Sequence, residues 1–144
     1  MHITRKVNLG LAALALCVTS AAARAELVVI VSPKNPTSTI SVEQAADIFL
    51  ASTSTFPAGA PATPINLAEG ASLRDEFYSK VTGKSPAQVK GYWSKLIFTG
   101  KGRPPKEEPD SATVKKMVAD NPNAIGYIEK SAVDASVKVI LTVR

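Results

Sequence analysis

Between Pro64 and Phe77 the chain passes from a short apolar segment, Pro64 to Leu67, through Ala68, Glu69, Gly70 and Ala71 straight into a helical pattern that begins at Ser72. A strand joined to a helix through so few residues builds an α/β unit, since a hairpin or a helical bundle would need a different element on one side of the turn. The same junction leaves the N–H groups of the first helical turn without partners inside the helix, at the end where the helix carries partial positive charge. An anion is favoured there. The candidate ligand-binding residues are therefore Gly70, Ala71, Ser72 and Arg74, whose amides, hydroxyl and guanidinium can turn toward one small oxyanion. A plain capped helix accounts for the same residues, because Ser72 with Asp75 three positions on is close to a capping box.

The rest of the chain repeats the alternation of strand and helix. Leu27 to Val31 is a continuous β-branched apolar run, the pattern of a strand buried on both faces of a parallel or mixed sheet. Ser41 and Gln44 form a capping box ahead of Val42, Ala45, Ala46, Phe49 and Leu50 at helical spacing. The segment from Ala51 to Ala62, rich in small and turn-forming residues around a lone Phe56, is expected to be a mobile loop. A helix from Ser72 to Thr82 carries Leu73, Phe77 and Val81 on one stripe and stops at Gly83. Ser85, Pro86 and Gln88 start another at once, with Val89, Tyr92, Trp93 and Leu96 inward and Gly100 at its end. An aromatic stripe at that spacing is core.

Thr99 to Pro109 is a Gly, Pro and charge-rich stretch in which Lys101, Arg103 and Lys106 are offset by Glu107 and Glu108, and it is expected to be a solvated loop. Ser111 opens a helix with Val114, Met117 and Val118 inward, closed by Asn121 and Pro122. Ala124 to Ile128 is a strand whose Gly126 marks a close approach by backbone or ligand. Lys130 to Asp134 is a short turn or helix, and Val137, Val139, Leu141 and Val143 alternate along a last strand. The expected architecture is α/β, a mixed sheet of about four strands flanked by helices.

At the other end of the chain, Arg5 and Lys6 precede the apolar run Val7 to Val18, and Ala23-Arg24-Ala25 supplies a small-x-small cleavage signature. Residues 1–25 are thus expected to be a secretory signal peptide and residues 26–144 a single α/β domain in the periplasm. Removal of the leader would take away the only cysteine, Cys17, and the only histidine, His2. No disulfide, thiol nucleophile, His-based triad or Cys/His metal site would then be available, and no metal or cofactor is expected. The net charge of +5 would also fall, because Arg5, Lys6 and Arg24 leave with no acid, and the remaining bases are scattered among acids. A nucleic-acid partner is excluded on that ground. Glu107, Glu108 and Asp110 lie on a Pro-rich stretch without rigid spacing, so no catalytic residue is assigned and the chain is not expected to be an enzyme.

Ile48-Phe49-Leu50, then Glu69-Gly70-Ala71-Ser72-Leu73-Arg74-Asp75-Glu76-Phe77, then Ala124-Ile125-Gly126-Tyr127-Ile128, resemble in order the successive signatures of the phosphate-binding proteins of ABC importers. The resemblance implies one lobe of a type II periplasmic binding protein. It also implies a phosphate-like oxyanion at Gly70 to Arg74 and a membrane transporter or sensor component as partner. In the family the matching segment usually reads Gly-Ser-Gly-Thr-Arg, preceded by a further Arg. Here Ala71, Ser72 and Leu73 stand at the Ser, Gly and Thr positions, and Asn66, Leu67 and Ala68 supply no Arg. Arg74 matches a later Arg of many members and is expected to reach either the oxyanion or an acid such as Glu69. One lobe offers a half-ligated site worth about millimolar affinity, roughly −4 kcal/mol, unless a partner or a homodimer supplies the second wall. The alternative is an interaction module that keeps the fold without the ligand.

Overall fold

The computed structural model describes residues 26–144. The expected leader, with Cys17 and His2, lies outside the described residues. The chain begins with β1 (Leu27–Val31), whose five residues are all fully buried, as the unbroken apolar run requires. Helix α1 (Val42–Phe49) follows, started by the Ser41 and Gln44 capping box. Next come β2 (Thr63–Leu67), α2 (Ser72–Thr82), α3 (Pro86–Phe98), β3 (Lys106–Glu108), α4 (Ser111–Asp120), β4 (Ala124–Glu129), a single 3-10 turn at Lys130–Ala132, and β5 (Lys138–Val143).

The five strands form one sheet in the order β3-β2-β4-β1-β5. β2 runs parallel to β3 and β4, and β1 runs antiparallel to β4 and β5, so the sheet is mixed. Successive β4 residues show how both faces are covered. Gly126 meets Val114 and Val118 of α4, whereas the next residue, Tyr127, packs on Phe49 of α1 and Phe77 of α2. Because neighbouring strand residues point to opposite faces, α4 lies on one side and the α1–α2 pair on the other. The Gly126 position is thus a close approach by a helix. Phe77 stacks on Tyr127 at 4.0 Å between centroids, and Phe49 meets Phe77 edge-on at 4.7 Å, an aromatic centre for the second layer.

Three expectations are corrected. Ala51 to Ala62 is the loop expected, but it is anchored to the body of the protein: Phe56 is in the core, Thr55 bridges Pro61, and Ala62 N–H donates to the Ser54 carbonyl at 2.9 Å. Within the stretch expected to be a solvated loop, Lys106 to Glu108 forms β3, with Asn66 opposite Glu107 in the parallel register. The alternation read into the last strand is broken by a bulge between Val29 and Ile30, which face Leu141 and Val139. The extra residue, Ile140, is buried, and its carbonyl accepts from Ile40 N–H at 3.1 Å, while Val139 and Leu141 are only half-buried.

Candidate functional site

Among the described residues, three of the four α-helices have a side chain closing the first turn: Ser41, Ser85 and Asp110 each accept from the amide three residues on. The first turn of α2 has none. Its N-cap is Ala71, which has no oxygen to offer, and Ser72 is already the first helical residue. The expected Ser72 and Asp75 capping box is therefore absent, because the helix starts one position earlier than such a box would need. Gly70 holds φ at 92°, a left-handed turn that brings the chain into the helix. Among the described residues the amides of Gly70, Ser72, Leu73 and Arg74 donate to no acceptor.

Beside that turn lies Arg74, which is nine-tenths buried. Its Nη1 donates to the Leu67 carbonyl at 3.0 Å and to Glu107 Oε1 on β3. The guanidinium also stands over the Tyr78 ring, 5.8 Å from its centroid. One edge of the guanidinium is thereby fixed, while Nε and Nη2 make no hydrogen bond among the described residues and are not sealed from solvent. The carboxylate that Arg74 meets is Glu107, not Glu69, which pairs with Lys90 at 3.8 Å. This follows from β3, which sets Glu107 beside β2 at the level where Arg74 reaches back to Leu67.

Under Arg74 is a buried polar cluster. Asn66 donates to the Tyr78 hydroxyl at 2.9 Å and accepts from the Tyr127 hydroxyl, and Leu67 N–H donates to Tyr127 Oη at 3.2 Å. These bonds tie β2, α2 and β4 together immediately behind the guanidinium. Burial pushes the Tyr78 phenol up to about 12, with the nearby Arg74 charge opposing, and raises the Tyr127 phenol by the same desolvation. A phenol whose pKa is raised above its ordinary value of about 10 favours the folded state fully below that pH. The contribution is then lost as pH rises from about 10 toward 12. The denaturation midpoint is expected to hold steady up to about pH 9.5 and to fall above it, with a shallower fall in Tyr78→Phe; equal slopes in the two proteins would contradict this origin.

Arg74 and Gly70 open into a cleft of about 350 Å³ between α2 and α3, bordered by the segment before β3. Glu69, Asp75, Lys90 and Glu107 are its other charged residues, and Tyr78, Pro86, Val89, Trp93, Ile97 and Pro104 give it an apolar wall. Ala71 and Ser72 do not line this cleft. The four sequence-derived site residues are thus close in the chain but divided, Gly70 and Arg74 in the cleft and Ser72 exposed at its edge. Sequence reasoning missed Glu107, Tyr78 and Asn66. The one available signal was Asn66, a polar residue between Ile65 and Leu67 in an otherwise apolar strand. Among the described residues no group of three His, Cys, Asp or Glu side chains is placed to hold a metal ion, and no helix is long and apolar enough to cross a membrane.

The mixed sheet with helices on both faces sets the start of α2 at the carboxyl end of the parallel strand β2, where α/β sheets take their ligands. Solved structures that the chain resembles include proteins described as belonging to phosphate transport. One, described as a phosphate ABC transporter substrate-binding protein with bound phosphate from Clostridium perfringens, is 25% identical with a TM-score of 0.64, over 80% of this chain and 44% of that one. An ABC-type phosphate transport receptor from Vibrio cholerae matches at 19% identity and TM-score 0.64, over 80% and 45%. PstS from Borrelia burgdorferi matches at 16% and 0.59, over 80% and 46%. The chain spans less than half the length of each. No family model and no curated sequence matches it.

Proposed function

We propose that this protein is a single-lobe relative of periplasmic substrate-binding proteins that recognises phosphate or a related small oxyanion at the Gly70 to Arg74 turn, for ABC-type uptake or sensing. The observation that carries the reading is Arg74: a nearly buried guanidinium, anchored through Nη1, with its remaining donors unpaired beside an uncapped helix N-terminus. Preorganised donors of this kind hold an oxyanion without reorganising the protein, and charge-assisted bonds are the stronger class. The bound phosphate in the Clostridium perfringens protein agrees with this class of ligand. The reading includes export through the leader at residues 1–25, a non-catalytic role, and a transporter or sensor component as partner. That component, or a second copy of the chain, would supply the second wall.

Glu107 favours a second reading, an interaction module without a ligand, because its carboxylate already pairs with Arg74 and neutralises the charge that would draw an oxyanion. Calorimetric titration with phosphate and with sulfate at low salt separates the two. Saturable heat with a dissociation constant near the millimolar range, lost in Ser72→Ala/Arg74→Ala, is the expected result. Absence of heat up to tens of millimolar, with an unshifted melting temperature, would leave the interaction module as the function.

A further inference from the structure

The cleft is the wrong size and polarity for an inorganic ion alone. A tetrahedral oxyanion fills about twice the ~30 Å³ that a liquid water occupies, whereas the cleft measures about 350 Å³, within the range of small-molecule sites. Its charges do not add up to an anion trap either. Glu69, Asp75 and Glu107 outnumber Arg74 and Lys90, so attraction to a bare ion is weak and affinity has to come from surface that the ligand covers. The surface available is apolar and comes mostly from one element, α3. Val89 and Trp93 are buried at its base, Pro86, Ile97 and Pro104 stand around it, and Ile97 is an exposed large hydrophobic residue. The Trp93 indole N–H adds a buried donor that makes no hydrogen bond among the described residues.

We propose that the ligand of this cleft is an organic phosphate, a monoester or phosphonate whose oxyanion meets the free edge of Arg74 and whose apolar group lies along Pro86, Val89, Trp93, Ile97 and Pro104. The inference rests on the oxyanion reading above and narrows its substrate class. An aryl or branched alkyl group fits the wall, since it removes apolar surface of both ligand and protein from water without burying a further charge. The two ends act differently. Arg74 fixes orientation through hydrogen bonds, and the α3 wall sets how much larger than phosphate the ligand is.

Trp93 is the only tryptophan of the chain, so its emission reports on this cleft alone. The protein is titrated with inorganic phosphate, phenyl phosphate and benzyl alcohol while Trp93 fluorescence is followed. Phenyl phosphate is expected to bind at least tenfold more tightly than phosphate and to change the emission, with benzyl alcohol silent over the same concentrations. Ile97→Ser, a change at an exposed position, is expected to weaken phenyl phosphate several-fold and leave phosphate unaffected. Equal affinity for phosphate and phenyl phosphate would overturn the organic ligand and keep the oxyanion reading. Binding of neither phosphate compound would remove both, and equal binding of benzyl alcohol would show an apolar groove with no part for Arg74.

Discussion

Replacing Gly126 by valine is expected to destabilise the fold by about 4 kcal/mol, and replacing it by alanine by about 2 kcal/mol, which lowers the melting temperature by roughly 4 °C per kcal/mol. β4 is the middle strand of the sheet, and at Gly126 helix α4 comes down onto its backbone. A Cβ built there would lie 2.6 Å from Val114 Cγ1 and 3.2 Å from Val118 Cγ2. Both neighbours are β-branched residues on a helix, where one χ1 rotamer dominates, so neither can swing aside cheaply. Room appears only if α4 lifts, and lifting it uncovers apolar residues of β4 and of α4's inner face. Denaturant unfolding of Gly126→Ala should show a lower midpoint at unchanged slope. Val114→Ala introduced beside Gly126→Ala removes the nearest clashing methyl, so the pair should be more stable than the two single effects added together by about 1 kcal/mol or more. Additive effects would mean that the loss arises from the strand itself.

Gly126 also shows what the sequence makes legible. A glycine inside an apolar strand announces a close approach, and the element pattern places α4 one connection away, so the packing follows from local signals. The capping boxes at Ser41 and Ser85 are equally local, and they set helix starts where the sequence places them. What failed to show had non-local causes. Lys106, Glu107 and Glu108 have no apolar alternation, because β3 is an edge strand whose charged side chains keep the edge from pairing with other chains, so no hydrophobic period marks it. The bulge at Ile140 arises from pairing with β1 and from the acceptor it offers to Ile40, neither of which is written into the last strand. At the site, the turn itself was readable from Gly70 and the helix that follows. The partner of Arg74 was not, because it depends on a parallel strand pairing between residues more than thirty positions apart. Ser72 was misplaced by one position, enough to turn a supposed cap into a first-turn residue at the edge of the cleft.

Glu107→Gln is expected to tighten phosphate binding about tenfold, and Arg74→Ala to abolish it. The one guanidinium in the cleft is held by a backbone carbonyl and neutralised by a carboxylate. Glutamine keeps an oxygen for Nη1, so Arg74 stays in place, but its charge is no longer cancelled. Two unit charges at 4 Å interact by about 4 kcal/mol at an effective dielectric of 20. The Glu107 side chain is 46% exposed, and solvent screening reduces the recoverable part to about 1.4 kcal/mol, a factor of ten. The gain should shrink as salt is raised, because exposed charges are screened over about 8 Å at physiological ionic strength. Arg74→Ala acts differently: it removes the donors and leaves the Leu67 carbonyl without its side-chain donor, at a stability cost of about 1–2 kcal/mol, small enough for binding to be measured on folded protein. Arg74→Lys separates charge from shape, since an ammonium keeps the charge but cannot donate along one edge while binding through another. Weaker binding in Glu107→Gln would mean that the carboxylate contacts the ligand. Unchanged binding would mean that the oxyanion does not meet Arg74, and the helix amides would then have to hold it alone.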